Sequence, residues 1–119
     1  MTHSLSMQSL VHWYRICAET ISQLPCELSM RQWAIFVHVY VVEDTHTVKS
    51  LAYTFDIPKP AVCRALDSLS MHGLVKRKKD QRDRRNVTIE KTMQGIMFLN
   101  QFNDILEKFD EERKKTLVN

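Results

Sequence analysis

Residues Thr47–Arg77 read TVKSLAYTFDIPKPAVCRALDSLSMHGLVKR and carry the clearest structural pattern of the chain. Apolar residues recur every three or four positions on both sides of a short break at 56–58, and this spacing predicts two amphipathic helices joined by a tight turn. Thr47 suits the N-cap of the first helix, and a proline suits the first turn of the second. Gly73 can adopt the left-handed conformation that ends a helix. These features predict a helix-turn-helix over residues 47–72.

The hydrophobic period changes after Gly73. Leu74–Arg77 and Val87–Ile89 are short segments of strand character, and a hydrophilic loop separates them. Two such segments around a polar loop predict a β-hairpin. We therefore expect a hairpin, which we call the wing, over residues 74–89.

Helical patterns flank this centre on both sides. Residues 5–23 carry a wide apolar face and stop before Pro25, because the residue before a proline avoids the helical region. Ser29 and Gln32 form a capping-box pattern that opens a helix before the turn segment. Thr92 suits the cap of a final helix over residues 92–114. The fold class predicted is mainly α with a small β-hairpin, arranged as one domain over residues 1–119.

Composition excludes several classes of protein. The chain has 119 residues and only two glycines, Gly73 and Gly95, so no glycine-rich phosphate loop is available. The three cysteines have neither CxxC nor zinc-ligand spacing, and the histidines are scattered, so we expect no metal site and no cofactor. No set of nucleophile, base and orienting group is evident, which argues against an enzyme. Without a signal or membrane pattern, the expected location is the cytoplasm.

Charge is concentrated in one window. Residues 59–91 contain ten basic and four acidic side chains, a net charge of +6, whereas the whole chain carries +3. The rest of the chain is therefore −3. A cationic segment in an otherwise mildly acidic small protein is typical of a surface that binds a polyanion.

The second helix of a helix-turn-helix can enter the major groove of double-stranded DNA. Its outward positions near the N-terminus are expected to be Lys59, Pro60, Ala61, Cys63 and Arg64. Arg64 can make a bidentate contact to guanine, and Lys59 can reach a phosphate or a base edge. In the wing, the candidates for phosphate and minor-groove contact are Lys76, Lys78, Lys79, Arg82, Arg84 and Arg85.

Each of these predictions has a simpler alternative. Arg64 could pair with Asp67 on its own helix, three residues on. Asp83 and Arg85 could be an exposed ion pair of little energetic weight. The basic wing could also dock an acidic protein partner, since winged domains serve protein–protein contact as well and a fold does not fix a function.

Several segments in their order resemble the winged helix-turn-helix of MarR-type transcriptional regulators. They are Ser50–Ala52, Pro58–Leu69, Gly73–Arg77, the wing sequence DQRDRR at 80–85, and Val87, Ile89, Thr92 and Gly95. The wing matches the family pattern D-x-x-D-R-R, and the strand after it leads to a Thr-x-x-Gly like the family's L-T-x-x-G. The likeness covers about Leu28 to Leu99. It implies a DNA-binding regulator of transcription.

The resemblance also implies roles for particular residues. Arg85 would enter the minor groove, and Asp83 would brace its guanidinium. The segments 5–23 and 92–114 would be dimerisation helices, which agrees with their wide apolar faces. The recognition helix departs from the family by carrying Pro60, Ala61 and Cys63 where hydroxyl residues are common. A small-molecule effector and a redox role for Cys17 or Cys26 are left open.

Overall fold

The computed structural model describes residues 2–83 and 85–118, with side chains from Met7 to Lys115 except at position 84. The described residues form five helices and three strands. Their bounds are α1 Thr2–Gln23, α2 Met30–Val41, β1 His46–Thr47, α3 Val48–Phe55, α4 Lys59–Met71, β2 Val75–Lys79, β3 Val87–Lys91 and α5 Met93–Val118. The predicted fold class, mainly α with a small hairpin, is confirmed. Helix α5 continues through the charged segment 110–115 and past the predicted end at 114.

The chain forms two compact units. One, the winged unit, runs from Leu28 to Met97 and holds α2 to β3 with the first turn of α5. The other, the helical unit, combines the residues up to Glu27 with those from Phe98 onward. Among the described helices, none has a stretch both long and apolar enough to cross a bilayer.

The sheet of the winged unit has one more strand than the sequence predicted. Its three antiparallel strands lie in the order β1-β3-β2. The two-residue strand β1 pairs with β3, placing His46 opposite Ile89. We expected only a polar break before Thr47, because two residues are too few to show a strand period. Strands β2 and β3 form the predicted hairpin, with Arg77 opposite Ile89.

Helices α2, α3 and α4 build the core of the winged unit. The side chains that are at most 1% exposed are Ile35, Phe36, Val39, Leu51, Val62, Leu66 and Leu69. Phe36 also packs against Tyr40, with 4.8 Å between the ring centroids. Burying an aliphatic or aromatic side chain of this size stabilises the fold by about 1.5–3 kcal/mol. This shared core sets the position of α4 relative to the wing.

The predicted helix signals are confirmed in the structure. Ser29 and Gln32 form a reciprocal capping box at α2, and Thr47 and Ser50 form another at α3. Gly73 follows α4 with a φ of 74°, which is the left-handed conformation that favours glycine. Thr92 caps α5, because its hydroxyl accepts a hydrogen bond of 2.9 Å from the Gly95 amide.

Gly95 lies where three parts of the winged unit meet. The Tyr40 hydroxyl donates a hydrogen bond of 2.6 Å to the Leu74 carbonyl and accepts one of 3.0 Å from the Thr92 amide. A Cβ added at Gly95 would overlap both the Tyr40 hydroxyl and the Leu74 carbonyl oxygen. The absence of a side chain at Gly95 therefore lets α5 start against α2 and the end of the α4–β2 connection.

In the helical unit the apolar stripe of α1 is largely exposed. Ile16 and Leu24 are buried, and His12 on the same side lies 3.6 Å from the Asp110 carboxylate of α5. The wide apolar face seen in the sequence of α1 is open, with exposures of 42–68% at Met7, Leu10, Val11, Tyr14 and Ile21. On α5 the buried side chains are Phe98, Ile105 and Phe109. The helical unit thus leaves an apolar face without a cover.

Candidate nucleic-acid interface

Helix α4 presents a short polar face at its N-terminal end. It starts after Pro58, whose extended backbone (φ −64°, ψ 147°) ends the turn, and no side chain caps its first amides. Its buried stripe consists of Ala61, Val62, Ala65, Leu66 and Leu69. Lys59, Pro60 and Arg64 are exposed, and Cys63 is half-buried. Two cations at the N-terminal end of a helix suit a phosphate-rich ligand.

The placement of Ala61 on the outward face was wrong. Ala61 is only 5% exposed and faces the core. Its position follows from helix geometry, because Ala61 lies one turn before Ala65, which is also buried. The outward face of α4 is therefore narrower than we expected from the sequence, and Lys59, Pro60, Cys63 and Arg64 make it up.

Arg64 is not paired with Asp67. The Asp67 carboxylate instead accepts a hydrogen bond from the guanidinium of Arg77 on β2 and forms an ion pair with it. The alternative of an Arg64–Asp67 pair on α4 is therefore wrong. Arg64 stays exposed with its charge uncompensated by any ion pair within the described residues.

The cations of β2 are divided between the two faces of the sheet. Val75 is buried, and Arg77 two residues later reaches Asp67 of α4, so this face of β2 is turned toward the helices. Because side chains alternate along a strand, Lys79 shares the face of Arg77, whereas Lys76 and Lys78 lie on the opposite face. All three lysines are exposed.

Two aspartates order the backbone of the wing loop. The Asp80 carboxylate accepts a hydrogen bond of 2.9 Å from the Arg82 amide. Asp83 does the same for Arg85 at 3.1 Å, and its carboxylate also lies 3.2 Å from the Arg85 Nε. Aspartate side chains that bind an amide two residues on are typical of tight turns. Arg84, also predicted as a DNA contact, lies outside the described residues.

The Asp83–Arg85 contact has the geometry expected of a brace. The Arg85 side chain is 92% exposed, yet two of its nitrogens lie within 3.5 Å of the Asp83 carboxylate oxygens. An exposed pair of this kind adds less than about 1 kcal/mol to stability. The contact holds the guanidinium beside the Asp83 carboxylate.

Most of the other candidate cations are also unpaired. In the chain as described, between 2 and 83 and between 85 and 118, no ion pair is made by Lys59, Lys76, Lys78, Lys79 or Arg82. Arg77 and Arg85 each have a carboxylate partner, as does Lys91 at 3.3 Å from Glu43. The winged unit thus has a surface of uncompensated positive charge on α4 and the wing.

The cysteine and histidine side chains in the described part of the chain differ in their pKa values. Cys17, Cys26 and Cys63 are free thiols, and burial raises the pKa of Cys26, which disfavours its thiolate. Burial, followed by the neighbouring His46, lowers the pKa of His38. Within the described residues, no three His, Cys, Asp or Glu side chains meet in a way that could hold a metal ion.

Sequence reasoning missed the Arg77–Asp67 pair. We counted Arg77 among the basic residues of the charged window but gave it no specific role. A signal was available, because Val75 is apolar and strand alternation turns Arg77 toward the same side. What the sequence could not show was that α4 packs against this side and brings Asp67 within reach.

A helix-turn-helix followed by a two-stranded wing and a cationic outer surface defines the winged helix-turn-helix class. A model of the MarR family matches residues 27–86. The protein belongs to the MarR family of transcriptional regulators, and the predicted resemblance is confirmed.

Solved structures share this fold over nearly the whole chain. A mutant of MepR from S. aureus is 22% identical with a TM-score of 0.78, covering 99% of this chain and 81% of that one. A second MepR mutant, bound to an oligodeoxyribonucleotide, is 20% identical with a TM-score of 0.78, covering 98% and 80%. The transcriptional regulator BldR from Sulfolobus solfataricus is 25% identical with a TM-score of 0.63, covering 94% and 81%.

Proposed function

We propose that the protein is a sequence-specific regulator of transcription that binds double-stranded DNA in the cytoplasm. The observation that carries this proposal is the exposed, unpaired Arg64 on α4, in the same compact unit as the cationic wing. Helix α4 enters the major groove, and Arg64 reads a guanine through two hydrogen bonds. The structure of a MepR mutant with an oligodeoxyribonucleotide supports duplex binding by this fold. No catalytic step is part of this function.

The contacts divide into positioning and reading. Lys59 and the wing lysines Lys78 and Lys79 bind phosphates and set the register of the protein on the duplex. Arg85, braced by Asp83, enters a neighbouring minor groove, whose negative potential attracts arginine. Arg82 and Arg84 support it from the same loop, and Lys76 contributes to the general positive field. Pro60 and Cys63 make apolar contact beside Arg64.

We expect binding to random duplex DNA to weaken steeply with salt. If at least four cations of one protomer each neutralise a phosphate, log K against log salt should fall with a slope of about −4 or steeper. Fluorescence anisotropy of a labelled duplex between low and physiological salt measures this slope. A slope near zero, or no binding at low salt, would contradict the proposed function.

A second candidate is a protein-interaction domain that docks an acidic partner on its wing. The division of the β2 cations favours this candidate, because Lys76 and Lys78 lie on the sheet face turned away from α4. If the wing docks an acidic partner, Lys78→Ala should weaken binding of that partner and leave the affinity for duplex DNA unchanged. The salt titration with Lys78→Ala beside the unaltered protein separates the two functions.

We further propose that the protein acts as a homodimer through residues 5–23 and 92–114. The exposed stripe of α1 supports this, since single soluble subunits rarely leave a continuous apolar face uncovered. Met93, Ile96 and Met97, within the second proposed segment, are also exposed apolar side chains. A two-fold dimer would place two α4 helices on a pseudo-palindromic site.

Leu10→Asp should therefore shift the protein toward the monomer. Leu10 is 59% exposed, and burying a leucine is worth about 1.5–3 kcal/mol, counted twice in a symmetric dimer. We expect the dimer dissociation constant to rise by about 100-fold or more. Sedimentation equilibrium measures it, with Gln8→Asp as a control on the same helix away from the stripe. Equal effects of the two variants would contradict a dimer interface along this stripe.

A further inference from the structure

The ion pair between α4 and β2 links the two elements proposed to touch DNA. The guanidinium of Arg77 donates to the carboxylate of Asp67, and the two side chains are 33% and 66% exposed. At such exposure an ion pair adds less than about 1 kcal/mol to stability. The pair therefore contributes little to the stability of the fold, and we looked for a role of the pair in binding.

Asp67 lies three residues after Arg64 on α4. Side chains with this spacing are neighbours on a helix surface, so Arg64 and Arg77 can both reach the same carboxylate. In the structure the Asp67 carboxylate is held by Arg77. Arg64 consequently has no acidic partner among the described residues.

We propose that Arg77 is a positioning residue for Arg64. By holding Asp67 against β2, Arg77 keeps the carboxylate away from the guanidinium of Arg64, which stays available to a base edge. This inference rests on the proposed function, and it assigns a specificity role to a residue that itself contacts no base. The acidic residue and its strand partner then act together on the discrimination between DNA sequences.

Loss of Arg77 should let Asp67 capture Arg64. A helical ion pair with three-residue spacing is worth about 0.2–0.5 kcal/mol, so its rupture on binding a base should cost about twofold in affinity. For a duplex with two half-sites the loss should be about fourfold. On random duplex Arg64 makes no specific base contact. The affinity of the variant for random duplex should therefore fall only by the amount due to one missing positive charge.

The test uses Arg77→Gln, Asp67→Asn and the double variant. Lys76→Gln is the matched control, because it removes the same charge from the adjacent position on the other face of β2. Two probes are needed, a duplex selected by the unaltered protein from a random pool and a random-sequence duplex of the same length. The measured quantity is the specificity ratio, which is the dissociation constant for the random duplex divided by that for the selected duplex. Competition anisotropy measures both constants.

We expect Arg77→Gln to lower this ratio about fourfold and Lys76→Gln to leave it unchanged. The double variant should return to the ratio of the unaltered protein, because no carboxylate remains to capture Arg64. Since the double variant lacks the same guanidinium, its recovery also excludes misfolding as the cause. An unchanged ratio in Arg77→Gln would overturn the positioning role. A ratio that is equally low in the double variant and in Asp67→Asn would also overturn it.

The outcome also separates this inference from the proposed function. If the unaltered protein selects no duplex over random sequence, both are wrong. If it selects one but Arg77→Gln selects equally well, sequence-specific binding stands and only the positioning role of Arg77 is lost.

Discussion

Arg64→Ala is expected to reduce the affinity for the selected duplex by about 5- to 150-fold per half-site. This range corresponds to about 1–3 kcal/mol for one bidentate contact to a base. Arg64 is exposed on α4 and has no ion pair within the part of the chain described, so removing it breaks no contact that stabilises the fold. The loss should appear in binding and leave the thermal unfolding temperature nearly unchanged.

The specificity of this effect distinguishes Arg64 from the phosphate-binding cations. Arg64→Ala should also relax the preference at one base position per half-site, which selection from a random oligonucleotide pool would show. Lys78→Ala removes the same charge from the wing. It should weaken binding to all sequences alike and make the slope of log K against log salt shallower. Equal losses of selected and random duplex in both variants would contradict a base-reading role for Arg64.

Gly95→Ala is expected to destabilise the winged unit by about 3 kcal/mol. An alanine inside a helix normally stabilises it by up to about 1 kcal/mol relative to glycine, so the sign should be reversed here. The reason is steric, because the new methyl group would overlap the Tyr40 hydroxyl and the Leu74 carbonyl oxygen. Relieving that overlap would stretch or break the hydrogen bond between them, and overpacking of this kind costs about 1–3 kcal/mol or more.

Urea unfolding followed by circular dichroism measures the effect. Asn100→Ala is the matched control, since it places alanine at an exposed position of the same helix α5 and should be neutral or slightly stabilising. If Gly95→Ala were as stable as Asn100→Ala, the close approach of α5 to Tyr40 would not exist in solution.

Local signals in the sequence predicted much of the winged unit. The capping pairs Ser29–Gln32 and Thr47–Ser50 involve residues three apart, so their hydrogen bonds depend only on the chain around them. The left-handed turn at Gly73 is local in the same way. The pairing of Asp83 with Arg85 was implied by the family resemblance, and the two side chains are in contact in the structure. Its role on DNA stays a prediction.

Other features depend on which surfaces meet. Strand β1 exists because β3, more than forty residues later, offers it hydrogen bonds, and two residues show no strand period of their own. The burial of Ala61 depends on the rotation of α4 about its axis, which the core around Leu51 and Leu66 sets. The apolar stripe of α1 was visible in the sequence, whereas which of its residues are exposed depends on how α1 packs.

Local sequence signals predicted where α2 to α5 begin, where α1 and α4 end, where the period changes to a strand, and where positive charge accumulates. Each of these depends on backbone propensity, capping or charge within a few neighbouring residues. Which cations remain unpaired depends on tertiary packing, because a carboxylate such as Asp67 binds the guanidinium that packing brings nearest. In this structure the chain folds back between α4 and β2 so that Arg77 reaches Asp67, and Arg64 is exposed on α4.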